Sequence, residues 1–134
     1  MLNRRRILAA SLAAPLAQHL PQALAAEPAP LLIDSHVHVW KRDPAFPFAQ
    51  GRKPPEFDAS AEMLLDLMRA NGVARTVIVQ VIHYRWDNSY LADVLKRYPK
   101  EFQGICRVNP EDPAAPDHLS RLTLEQGFRG VRLS

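Results

Sequence analysis

From Leu31 to Leu133, β-rich apolar runs alternate with stretches whose apolar residues recur at helical spacing, and nothing else in the sequence constrains the fold as strongly. Leu31–Val39 reads as a first strand. Glu62–Asn71 carries Leu64, Leu67 and Met68 on one helical face, with Gly72 placed to end it. Arg75–Ile82 is apolar nearly throughout, as a strand buried on both faces would be. Asp87 or Asn88 can cap a second helix bearing Leu91, Val94, Leu95 and Tyr98, and Pro99 stops it. Phe102–Val108 is a third strand. A third helix opens at Pro113 or Pro116, turns Leu119 and Leu122 inward and finishes at Gly127, before a short fourth strand from Arg129 through Leu133.

The order β-α-β-α-β-α-β predicts an α/β fold of parallel strands joined by right-handed helical crossovers. A complete (β/α)8 TIM-type barrel takes about 250 residues. Four strands and three helices therefore match its N-terminal half; an open four-stranded sheet is the structural alternative and would need helices on both faces. The Pro-rich stretch Lys41–Asp58, with Phe46 and Phe48 between its prolines, reads as an ordered loop over the end of the first strand.

Residues 1–25 have the form of an export signal: Arg4, Arg5 and Arg6, an apolar run from Ile7 to Leu20, then small residues near Ala25. Asn3-Arg4-Arg5-Arg6-Ile7-Leu8 resembles the twin-arginine motif, which points to a bacterial periplasm or to secretion. Residues 26–30 form a linker, and 31–134 the folded domain. The apolar run is short for a membrane span, which needs roughly 20 residues, so no membrane association is expected once the signal is removed. The net charge of +3 equals the three leader arginines, so the remainder is balanced and gives no argument for nucleic acid or anionic lipid as a partner. Cys106 is the only cysteine; it sits in an apolar context and reads as a buried structural thiol.

Asp34, His36 and His38 alternate along the first strand, so all three share one face, with Ile33, Val37 and Val39 on the other. Burying three polar side chains in an apolar strand costs several kcal/mol unless each finds a partner. A divalent metal, Zn2+ above all, supplies one: both imidazoles can reach a single ion, while Asp34, lying deeper, can orient one ring through a hydrogen bond without touching the metal. Arg132 shares a face with Gly130 and suits a bidentate grip on a carboxylate, and Arg107 and Gln80 are further substrate-binding candidates. His83, beside Tyr84 and Trp86, could line the mouth but reads as a packed or loop-surface histidine rather than a ligand, and His118 as a solvated one.

Ile33-Asp34-Ser35-His36-Val37-His38-Val39-Trp40 resembles the first-strand signature of the amidohydrolase-related family. It is most similar to the branch that includes sugar-acid lactonases and 2-pyrone-4,6-dicarboxylate lactonase. Gly127-Phe128-Arg129-Gly130-Val131-Arg132-Leu133 resembles the fourth strand of that branch. The resemblance implies a (β/α)8 hydrolase that opens a lactone, ester or amide bond, with a carboxylate-bearing lactone as the small-molecule substrate. It also implies that His36 and His38 sit at the metal or the substrate, although some lactonases of the branch work without a tightly bound metal. The family draws further histidines from strands five and six and an acid/base aspartate from strand eight. None of these lies within four strands, so the chain is expected to be incomplete and inactive alone. The competing expectation is a non-catalytic remnant, or an exported half barrel that acts only by pairing with another chain through its open edge.

Overall fold

The computed structural model describes residues 30–51 and 53–133; the stretch expected to be an export signal, residues 1–25, lies outside the described residues. Strands β1 (Leu32–Val37), β2 (Val73–Val79), β3 (Phe102–Arg107) and β4 (Gly130–Arg132) alternate with helices α1 (Ala61–Asn71), α2 (Ser89–Arg97) and α3 (Ala115–Glu125). The strands form one sheet in the order β1-β2-β3-β4, every neighbouring pair parallel. Parallel neighbours cannot be joined by a hairpin, so each connection returns along a helix.

Local chemistry sets the helix ends. The Ser60 hydroxyl accepts from the Met63 N–H at 3.3 Å and caps α1, and Gly72, at φ 67°, closes it in the left-handed conformation that glycine adopts without strain. Pro116 lies in the first turn of α3, and α2 ends at Arg97, two residues before Pro99. The inward stripe of α1 is Ala61, Leu65 and Met68. Leu67, expected to point inward, is 62% exposed instead. It stands at the margin of that stripe, bordering a groove of about 310 Å³ shared with Asp34, Leu64 and Met68.

The helices cover one face of the sheet. Ile78, Phe102, Cys106 and Val108 pack there with Leu65, Met68, Leu91, Val94, Leu95, Leu122 and Phe128. Each large apolar side chain buried this way contributes about 1.5–3 kcal/mol. Cys106 is fully buried, as expected; its thiol donates to the Gly130 carbonyl at 3.2 Å, and burial pushes its pKa up. The expected second strand runs short, because the sheet loses β2 at Val79 and Ile82–Tyr84 coils into a single 3-10 turn. That turn carries Tyr84 into the core beneath the loop that follows β1.

Gly104 is where the helical layer comes closest to β3. A Cβ there would lie 2.5 Å from Leu95 Cδ1 and 3.0 Å from Phe128 Cδ1. Gly104→Ala is therefore expected to destabilise the fold by about 1–3 kcal/mol, measured by urea unfolding.

Arg97, in the last turn of α2, reaches Glu62 in the first turn of α1 and ties the two helices together. Its guanidinium donates to Glu62 and, through Nε at 2.8 Å, to Asp93, and it lies 4.9 Å from the Tyr98 ring. The hydrogen bond from Arg97 holds the Glu62 carboxyl at about 2, against an ordinary 4.5. Both partners are partly exposed, so the pair adds little at neutral pH. Because the folded pKa lies below the unfolded one, Glu62 contributes fully above pH 4.5 and loses that contribution as the pH falls toward 2. The thermal midpoint of the wild type should therefore drop more steeply across this window than that of Glu62→Gln.

Candidate active site

The C-terminal ends of the strands gather the chemistry-bearing side chains. His36 lies in β1 and His38 just past its end, with ring centroids 5.1 Å apart in an edge-to-face arrangement. His38 Nδ1 is 2.7 Å from the Val79 carbonyl oxygen at the end of β2. A carbonyl only accepts, so this bond places a proton on Nδ1, and in the neutral ring the lone pair then falls on Nε2.

Asp34 does not share the face of the two histidines. Asp34 pairs with Thr76 and Val37 with Ile78, so three steps along β1 match two along β2, and a bulge lies between. The bulge turns Asp34 to the side of Thr76, Ile78 and α1, where it borders the groove with Leu64 and Met68. Its carboxylate accepts from the backbone N–H of His36 at 3.1 Å. This local bond ties Asp34 to the backbone that carries the histidines. Ile33 pairs with Arg75 and is 50% exposed, whereas Val39 is buried in the core.

Gln80 is also placed differently from expectation. It has the parity of Thr76 and Ile78, opposite Val79, and is buried, with its side-chain amide donated to the Asp87 carbonyl. The uniformly apolar run around it carried no parity signal. Arg107 and Arg132 are register partners at the ends of β3 and β4, on the face opposite Cys106 and Val131. Arg132 is half-buried. Arg107 is 4% exposed, with its guanidinium carbon 4.8 Å from the Trp86 ring centre.

The loop after β1 is ordered, as its prolines suggest. Trp40 and Ala59 exchange two backbone hydrogen bonds at 2.8 and 2.9 Å, and the Trp40 indole donates to the Phe57 carbonyl at 2.9 Å. His83 packs against Trp40 and Phe48, at ring separations of 5.8 and 6.1 Å, and its carbonyl accepts from the Ala49 N–H. It is a packed histidine. His118 is exposed on α3, 3.6 Å from Asp112.

Sequence reasoning missed three buried polar residues that shape this end of the sheet. The Tyr84 hydroxyl accepts from the Lys41 N–H at 3.1 Å and donates to the Lys41 carbonyl at 3.0 Å, and burial pushes its pKa up to about 12. The Tyr90 hydroxyl accepts from the Ala61 N–H at 3.1 Å. Of the two capping candidates, Asp87 and Asn88, the Asn88 side chain makes no bond to α2 and binds β3 instead. Only the polar atom in an apolar setting hinted at any of these roles; the partners lie 19 to 43 residues away.

Chemically, this end offers two adjacent imidazoles, one with its tautomer fixed, and two arginines in register on neighbouring strands. Among the described residues, no group of three or more His, Cys, Asp or Glu side chains could hold a metal ion, so a metal at the histidine pair would need donors from elsewhere. No described helix is long and apolar enough to cross a membrane. Tyr84→Phe removes both bonds to Lys41; a loss of about 1–3 kcal/mol in urea unfolding is expected, with faster proteolysis in residues 41–58.

Comparison with known proteins places this arrangement. The amidohydrolase family matches residues 33–134. A 2-pyrone-4,6-dicarboxylate hydrolase of Comamonas testosteroni is 34% identical over 102 residues, covering 76% of this chain and 32% of the relative. An L-fucono-1,5-lactonase of Burkholderia ambifaria is 32% identical over 106 residues, covering 75% of this chain and 35% of the relative. A crystal structure from Pseudomonas putida, provisionally named a 2-pyrone-4,6-dicarboxylic acid hydrolase, superposes with a TM-score of 0.62 at 32% identity, over 77% of this chain and 36% of that one. The chain spans about a third of the length of the curated relatives it matches. Its four sequential parallel strands correspond to the N-terminal half of a TIM-type barrel, and the chain belongs to the amidohydrolase family.

Proposed function

We propose that this chain carries the metal-binding and carboxylate-binding part of a hydrolase that opens a carboxylate-bearing lactone. In that reaction water adds across the ring ester: its hydroxyl goes to the acyl carbon, and the ring oxygen leaves with a proton. His36 and His38 are the proposed ligands of a divalent metal, Zn2+ foremost. The observation that carries the reading is the bond between His38 Nδ1 and the Val79 carbonyl. Metal-binding histidines almost always donate their second ring N–H to a carbonyl or carboxylate, which fixes the tautomer and the ring plane. His38 is held in that way, with His36 beside it. When bound, such a metal supplies Lewis-acid polarisation of a carbonyl or a water.

The chain's own residues provide the rest. Arg132 grips a substrate carboxylate through its planar fork, with Arg107 next to it in register. The backbone bond from Asp34 steadies the turn of chain that presents His36. The names of the relatives, a dicarboxylate hydrolase and a lactonase, support a cyclic ester with acidic groups. The reading includes export by the twin-arginine route to a bacterial periplasm, supported by Arg4–Arg6 ahead of the apolar run.

Zinc titration against a chromophoric chelator tests the site. His36→Ala and His38→Ala should each weaken binding on the order of tenfold or more while leaving the circular dichroism spectrum unchanged. Zinc affinity indifferent to both substitutions, or ring opening of 2-pyrone-4,6-dicarboxylate that survives both, overturns the reading.

A further inference from the structure

Strands β2 and β3 stay paired up to the bond from the Gln80 N–H to the Ile105 carbonyl, at 2.9 Å. Beyond it β2 leaves the sheet, while β3 continues to Arg107. In a parallel ladder, the neighbour that donates to Ile105 would next accept from the Arg107 N–H. Arg107 is too buried for water to fill that place. Asn88 fills it. Its Oδ1 accepts from the Arg107 N–H at 2.9 Å, and its Nδ2 donates to the Arg107 carbonyl at 2.8 Å.

The same Nδ2 donates to the Trp86 carbonyl at 2.9 Å. The carboxamide of Asn88, a residue 6% exposed, thus holds the backbones of two residues whose side chains meet, the Arg107 guanidinium lying on the Trp86 ring. A second amide, Gln80, ties the same loop down at Asp87. The loop enters through Arg85 at φ 52° and ψ −107°, a conformation unfavourable for a non-glycine residue that persists only where its surroundings hold it.

Helix capping does not account for Asn88. Its position is the N-cap of α2, but the side-chain bond at that helix start comes from Asp87, whose Oδ1 accepts from the Ser89 N–H at 2.8 Å. The Asn88 carboxamide is turned wholly toward β3 and the loop.

We infer that Asn88 is a positioning residue: it sets the direction of the Arg107 guanidinium by clamping Arg107 and Trp86 together at the strand ends. The substrate consequence rests on the carboxylate-binding role proposed above for Arg107. Without the amide, two buried backbone groups lose their partners, and the end of β3 is held from the β4 side alone.

The test uses the full chain and two probes, 2-pyrone-4,6-dicarboxylate and its neutral dimethyl ester, titrated by tryptophan fluorescence. Asn88→Ala and Arg107→Gln should each lower the preference for the dicarboxylate over the ester by about tenfold. The double variant should bind within about twofold of Arg107→Gln alone, because both substitutions remove one interaction. Additive losses, or a preference untouched by Asn88→Ala, overturn the inference. Nuclear magnetic resonance reads it independently of any ligand: the Trp86 ring shields the Arg107 side-chain protons, and that shift should collapse in Asn88→Ala, or in Asn88→Ser if the alanine variant does not fold. A wild type with no preference for the dicarboxylate sinks the substrate reading alone, whereas an unchanged Arg107 shift in the variants sinks the role of Asn88.

Discussion

A parallel sheet has to bury the face its crossover helices lie against, and the contact of those helices with Ile78, Phe102, Cys106 and Val108 is what the remaining features depend on. That contact takes one parity of β2 and β3. The other parity, with Val77, Val79, Ile105 and Arg107, faces away from the helices and continues through Gly130 and Arg132 of β4. Gly104 lets the helical layer sit close enough to seal, because any Cβ there would meet Leu95 and Phe128. Arg97, in the last turn of α2, braces that helix against Glu62 in the first turn of α1.

At the strand mouths the sheet frays, and buried polar side chains make good the lost ladder. Tyr84 holds Lys41, Tyr90 holds Ala61, Gln80 holds Asp87, and Asn88 holds Arg107. Each bond adds about 1 kcal/mol net, but breaking one strands a buried group at a larger cost. This end of the molecule is therefore rigid without regular secondary structure. Rigidity there matters, because binding groups must stand within a fraction of an ångström of their working positions.

Membership of the amidohydrolase family and the half-barrel topology agree with each other and with the position of the histidine pair. In barrels of this kind, chemistry gathers where the strands end, and loops there vary while the sheet persists. His38 joins the two levels: it belongs to the chemical end, yet its orientation is fixed by a backbone carbonyl of the neighbouring strand. Arg107 does the same through Asn88, whose amide stands where a strand neighbour would have been.

Much of this was legible in the linear sequence. The alternation of periods determined the element order, and Gly72, Pro99 and Gly127 marked the helix ends, because breakers act through local backbone sterics. The His36-Val37-His38 spacing and the flanking residues pointed to the family. Tertiary structure alone decided the direction of Asp34, since a bulge reverses the parity of a strand and depends on its register with β2. It alone decided Gln80, because an unbroken apolar run has no phase to read, and Asn88, because a side chain that caps a helix locally can instead be drawn to an unpaired strand 19 residues away. Period, charge and breakers act over a few residues and are written in the chain, whereas parity at a bulge and the choice among hydrogen-bond partners are settled only when distant backbone arrives.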